Sequence, residues 1–131
     1  MTVDEFKALC ESDPNKADNL VAPLIGWEYE LHVGYWRDVP PPVNGEGPKR
    51  AWCANSIIAG GWPAFGAMWD ALPSEPGEWW VLWESRGKAI VTRLAAGIFG
   101  MCTELSSVKG DTRNIAVAAA LLLAAGKLED A

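Results

Sequence analysis

His32 is the only histidine in the chain, and Cys10, Cys53 and Cys102 are its only thiols. A cysteine with a histidine base is the smallest set here that could form an activated nucleophile. No serine, cysteine or acid stands at a diagnostic spacing from His32. Cys53 lies in "RAWCANS", which matches no nucleophile motif, so the two could meet only through the fold. One histidine and three scattered cysteines give neither C-x-x-C nor H-x-x-x-H, and no metal site is expected. "GG" and "GIFG" lack the Lys-Ser/Thr of a phosphate loop and the spacing of a dinucleotide turn, so no cofactor is expected. Glu78 and Glu84 fall on one face of an alternating segment. Six residues at about 3.3 Å each set them roughly 20 Å apart, too far for paired-carboxylate chemistry. The expectation is a protein without enzymatic activity.

The tryptophans are the stronger signal. "GGWPAFGAMWDALPSEPGEWWVLWE", from Gly60 to Glu84, holds Trp62, Trp69, Trp79, Trp80 and Trp83 of the eight in the chain. Each indole can bury roughly 150–250 Å². Trp69, Trp79 and Trp83 fall on faces read as core. Trp80 shares its face with Glu78 and Glu84, so that face is read as partly wet. Trp36 and Trp52 flank a proline-rich stretch and follow no period. Exposed Trp and Arg are enriched at binding hot spots, and Arg37, Lys49, Arg50 and Arg86 lie near these indoles in sequence. Trp36, Trp52, Trp80, Arg37, Lys49, Arg50 and Arg86 are therefore the candidate binding residues, with packing and binding both open for the three indoles. The same set could stack a base and clamp a phosphate, and sequence does not separate a nucleotide from a protein partner.

The elements that must position these residues are legible in outline. "TVDE" reads as a capping box in which Thr2 and Glu5 exchange hydrogen bonds. A short helix follows to about Glu11, with Phe6, Leu9 and Cys10 on its apolar side. "SDPN" breaks it, and Pro14 suits the first turn of a second helix. Leu20, Val21 and Leu24 give that helix its expected buried face, and it ends near Gly26. "WEYELHVG" alternates, with Trp27, Tyr29, Leu31 and Val33 on one side, and reads as a strand or extended segment. "DVPPPVNGEGPKR", about 38–50, reads as a surface loop.

"WPAFGAMWDAL" predicts a third helix with Pro63 at its first position and Phe65, Trp69 and Leu72 on one face. "EWWVLWE" is the clearest strand, "SRGK" its hairpin connection and "AIVTRLAA" its return, so the hairpin spans about 78–95. "GIFGMCTEL" is read as continuing the sheet past a bend, and "SSVKGD" as a loop. "TRNIAVAAALLLAAGKL" predicts a last helix capped by Asp111 or Thr112. It is apolar all round from Ile115 to Ala125, so it should be buried on several sides. It should lie on the sheet and meet another helix or, over 112–126, a second subunit in a homodimer.

With 131 residues the chain reads as one domain. Its net charge of −6 is uneven. Residues 1–30 hold seven carboxylates (Asp4, Glu5, Glu11, Asp13, Asp18, Glu28, Glu30) against Lys7 and Lys16, leaving −5 there. No basic stripe suggests direct nucleic-acid binding. The acidic segment suits a basic partner or a solvated face. The odd, scattered cysteines are not a disulfide framework. The first residues lack the basic and apolar regions of a signal peptide, and the longest apolar run is too short to span a bilayer. The expected place is therefore the cytosol.

Three segments in order resemble the small phage proteins of the phage ABA sandwich domain family. "DNLVAPLIGW" (Asp18 to Trp27) is similar to that family's opening leucine-valine-alanine … glycine-tryptophan signature. "WPAFGAMWDAL" is similar to its next helix, and "DTRNIAVAAALLLAAG" to its closing one. The proline loop, "RAWCANSIIAGG" and the extra N-terminal helix depart from the pattern. The resemblance implies α/β/α-like layers and a phage origin, and it carries no catalytic residues over. Together these readings predict an α+β fold with a small antiparallel sheet and helices packed on it. The expected function is a phage-encoded accessory protein in the host bacterial cytosol. It would bind and inhibit a host protein, foremost a defence-complex component such as a CRISPR–Cas subunit. The alternatives are a small-ligand binder that sequesters a nucleotide signal and a self-assembling structural protein built on the last helix.

Overall fold

The computed structural model describes residues 1–32, 34–38 and 51–129, with the backbone alone over 51–54. It is an α+β fold of two three-stranded antiparallel sheets and α-helices packed on them. Helices α1 (Val3–Ser12) and α2 (Pro14–Ile25) lead into β1 (Trp27–Glu30), β2 (Tyr35–Asp38) and β3 (Ala51–Ala54), which pair in the order β1-β2-β3. Helix α3 (Trp62–Ala71) precedes β4 (Glu78–Ser85), β5 (Lys88–Ala96) and β6 (Cys102–Gly110), paired in the order β4-β5-β6. Helix α4 (Arg113–Ala124) follows.

The helix ends obey local chemistry. Thr2 Oγ1 accepts the Glu5 amide at 3.1 Å, and Glu5 Oε1 accepts the Thr2 amide at 3.0 Å, which satisfies two donors that the first turn leaves orphaned. Asp13 accepts the Lys16 amide at 3.2 Å, with Pro14 at the first position of α2. Thr112, one of the two expected caps, accepts the Ile115 amide at 3.2 Å.

Helix α4 is the centre of the core. Between Asn114 and Leu122 only Ile115 is not buried, and the helix touches β5, β6, α3 and α1. An all-round apolar helix has no other stable place in water. Within the 112–126 stretch expected to form a homodimer, the fold itself covers most of 114–122, and the apolar residues left partly or fully exposed are Ile115, Leu123, Ala124 and Ala125.

Several expectations are corrected. The buried side of α2 is Ala17, Asp18, Val21 and Ala22, while Leu20 is exposed. Asp18, counted with the acidic face, lies inside the protein. Residues 27–32 are not one extended segment. Leu31 and His32 sit in a turn closed by the Gly34 amide donating to the Glu30 carbonyl at 2.8 Å, and the chain returns as β2. Both Leu31 and His32 are exposed. "SSVKG", expected in a loop, completes β6. The rest of the proline loop, 39–50, lies outside the described residues, and Val33 does too.

The largest correction concerns β4. Helix α4 packs on the side of the second sheet that carries Ala89, Val91 and Val108. The register sets Leu82 opposite Val91 and Trp80 opposite Arg93. In an antiparallel pair, opposed residues point to the same face, so Trp80 and Leu82 share the α4 side and pack against the core. Trp79 and Trp83, expected inside, stand on the opposite face with 39% and 58% of their surface exposed.

Candidate functional site

Among the described residues, the sequence-derived binding candidates Trp36, Arg37, Trp80 and Arg86 do not converge. Trp36 is buried, with 5% of its surface exposed. Its ring lies 5.2 Å from Tyr29, and its indole N–H donates to the Asp18 carboxylate. Arg37 is half-buried in β2, opposite Glu28 and Trp52 in the backbone register. Trp80 is half-buried. Its Nε1 donates to the Pro73 carbonyl at 2.8 Å, and the Arg93 guanidinium lies 5.5 Å from its ring centroid. Arg93 in turn donates from Nε to Glu78 at 2.9 Å. The Glu75 amide, and after it that pairing, hold the Glu78 carboxyl below its ordinary value of 4.5. Trp36 and Trp80 are thus packing residues, not presented ones. The Trp52 side chain, Lys49 and Arg50 lie outside the described residues, and so does the Cys53 side chain.

What the fold presents instead is the outer face of β4-β5-β6. Trp79, Val81 and Trp83 alternate along β4, and Ile90 and Leu94 continue the face on β5. Thr92 lies among them, its hydroxyl 3.3 Å from that of Ser107 on β6. At the end of the sheet nearest Trp79, the β5–β6 connection carries Ile98, Phe99 and Met101, all exposed. Phe99 is 96% exposed and has φ +61°. A bulky side chain rarely adopts that left-handed conformation, and such residues cluster at functional sites. The only hint of this face in sequence was the count of apolar residues in "EWWVLWE". Both parities are apolar, so alternation could not say which one is covered.

A second feature is a cleft of about 490 Å³ between the 58–62 turn, the β4–β5 hairpin and the start of α4. Its frame is built from a distance. Asp18, in the core, accepts the amides of Ile57 at 3.0 Å and Ile58 at 2.7 Å and the hydroxyl of Ser56 at 3.0 Å. Burial pushes the Asp18 carboxyl up, and it outweighs those donors, which pull it down. Asn114 Nδ2 donates to the carbonyls of Ile57 and Gly60, each at 2.9 Å. The 57–60 turn is thereby fixed against α4.

At the mouth of the cleft, the Arg113 guanidinium lies 4.0 Å from the ring centroid of Trp62, which is 64% exposed. Arg113 also forms an ion pair with Glu84, Nε to Oε1 3.0 Å, and Lys88 pairs with Asp111. Arg86 sits on the lining with φ +52°, followed by Gly87 at +73°. Two successive positive φ values make the tight turn that matches strand twist. Among the described residues, Arg86 is the one sequence-derived candidate lining this cleft.

Among the described residues, no group of three or more His, Cys, Asp or Glu side chains could hold a metal ion, and no helix is long and apolar enough to cross a membrane. Comparison with family models, with curated proteins and with solved structures finds no match to this chain.

Proposed function

We propose that this chain is a non-catalytic binding protein that docks on another protein through the outer face of β4-β5-β6. The observation that carries the reading is the pair Trp79 and Trp83, exposed on one sheet face with Val81 between them. Contiguous apolar surface on a folded chain marks interaction sites, and tryptophan is the residue type most often found to dominate them. The acidic balance of the chain favours a basic partner. The likeness to the phage ABA sandwich domain supports a bacterial host factor as that partner, foremost a defence component such as a CRISPR–Cas subunit, which binding would inhibit.

The test is capture from a bacterial lysate with the wild type and with the Trp79→Ala, Trp83→Ala double variant, both checked for native circular dichroism. A stoichiometric protein held by the wild type should bind the double variant at least about 30-fold more weakly, the equivalent of ~2 kcal/mol. Capture of no such protein, or equal capture by both, overturns the reading.

The cleft favours a second reading, a binder of nucleotides. Trp62 offers a stacking surface beside Arg113 and Arg86. Denaturing the purified protein and analysing the supernatant by mass spectrometry would reveal a sequestered nucleotide. Its absence, with no binding of added nucleotides, removes this reading and leaves the first intact.

A further inference from the structure

Among the described residues, strand β4 is an edge of its sheet, and its hydrogen-bonding phase can be read from two contacts. The Ala96 amide donates to the Gly77 carbonyl at 2.8 Å, and the Glu78 amide turns away from β5 to donate to the Glu75 carbonyl at 3.0 Å. In an antiparallel pair, backbone groups alternate between the partner strand and the far side. The odd residues of β4 therefore bond to β5. Trp80, Leu82 and Glu84 direct their backbone N–H and C=O groups to the open edge.

Natural edges are guarded by lysine, proline, bulges or short length. Strand β6, at the other edge, carries Lys109 and a register shift opposite Arg93 and Leu94. Strand β4 has no lysine, proline or bulge along its eight residues, and its charged side chains, Glu78 and Glu84, lie only towards its ends. Among the described residues, β5 is the only element with which it makes extensive contact.

We propose that β4 pairs with β4 of a second copy of this chain, antiparallel, about a two-fold axis at Val81, to make a continuous six-stranded sheet. The strand is its own complement in that register. Trp80 meets Leu82 of the second copy, and each such pair exchanges the outward backbone bonds identified above. On the outer face Trp79 meets Trp83 of the second copy, an aromatic cross-strand pair of the kind that stabilises sheets.

Shifting the axis to Leu82 would set Trp80 against Glu84 and Trp79 against Ser85, exchanging apolar pairs for mixed ones. In the Val81 register Glu78 meets Glu84 of the second copy at the rim. Each of these carboxylates is already held by an arginine of its own chain, Glu78 by Arg93 and Glu84 by Arg113. Residues keep their parity across the axis, so both copies of α4 lie on one side and the exposed indoles form one surface twice as long. The inference goes beyond the partner-binding reading and does not depend on it, because it is tested with no partner present.

Analytical ultracentrifugation of the purified chain should give twice the monomer mass. Val81→Lys, which sets two ammonium groups against each other on the axis, should give the monomer mass with an unchanged circular dichroism spectrum. In a Cys102→Ser background, Val81→Cys should oxidise to a covalent dimer whose linked peptides both contain position 81. Cα atoms of such a pair lie about 4.5 Å apart, within the roughly 4.4–6.8 Å that a disulfide spans. A monomeric wild type overturns the proposal. A dimer that survives Val81→Lys, or that fails to link through position 81, also overturns it, since the contact would then lie elsewhere.

Discussion

Asp18 Oδ1 accepts the amide of Ile58 at 2.7 Å across 40 positions of sequence. A helix residue thus holds the turn that frames the cleft. The same carboxylate takes the Ile57 amide, the Ser56 hydroxyl and the Trp36 indole, so one buried group ties α2 to the 56–58 segment and to the first sheet. A buried donor left without its acceptor costs about 1–3 kcal/mol.

Asp18→Ala, which strands the Ile57 and Ile58 amides together, should lower stability by about 2–4 kcal/mol in urea unfolding. Asp18→Asn keeps one acceptor oxygen and should lose less. The pH dependence has a definite sign. Burial raises the folded-state value of Asp18 above the ordinary 3.8, so the folded state holds this proton more tightly than the unfolded state does. Its contribution is fully present below 3.8 and is lost as pH rises through the raised value. Relative to Asp18→Asn, the wild type should gain stability on acidification through that window. A difference between the two that did not change with pH would refute this assignment.

Gly110, at the end of β6, lies against the first turn of α4. A Cβ placed there would stand 2.6 Å from the Ala116 amide nitrogen and 3.0 Å from its Cα. The obstacle is helix backbone, which cannot rotate aside as a flexible side chain does. Gly110→Ala should therefore destabilise the protein by about 1–3 kcal/mol, the usual cost of overpacking a filled core. Gly66, whose added Cβ would meet nothing within 4 Å, is the control, and Gly66→Ala in α3 should be neutral or stabilising by up to about 1 kcal/mol. Urea midpoints of the two variants test the contrast.

The described free thiols should differ in reactivity. Cys10 is buried in α1, and burial, reinforced by the Asp18 charge, pushes its pKa up to about 11. Cys102 is exposed at the start of β6. Only the thiolate reacts, so iodoacetamide at pH 8 should modify Cys102 in the native protein and leave Cys10 untouched until the chain unfolds. Peptide mapping after a timed quench reads both sites. Equal rates at the two positions would show that α1 opens readily.

What sequence alone determined were the features that neighbours in the chain decide. The Thr2–Glu5 capping box, Pro14 at the start of α2, the hairpin over "SRGK" and the burial of α4 all follow from groups within a turn or two of one another, or from a helix with no polar side. The tertiary structure decided the rest. "EWWVLWE" is apolar on both parities, so the side covered depends on where α4 lands, about 30 residues later in the chain. That landing packs Trp80 half-buried against the core and leaves Trp79 and Trp83 exposed to water. Asp18 looks like one more solvated carboxylate until the 56–58 segment arrives with its donors. Trp36 looks ready to grip a partner until the turn at Leu31 and His32 folds it back toward Asp18. Local chemistry chooses between helix and strand, but which face meets water is settled only when distant elements compete to cover it.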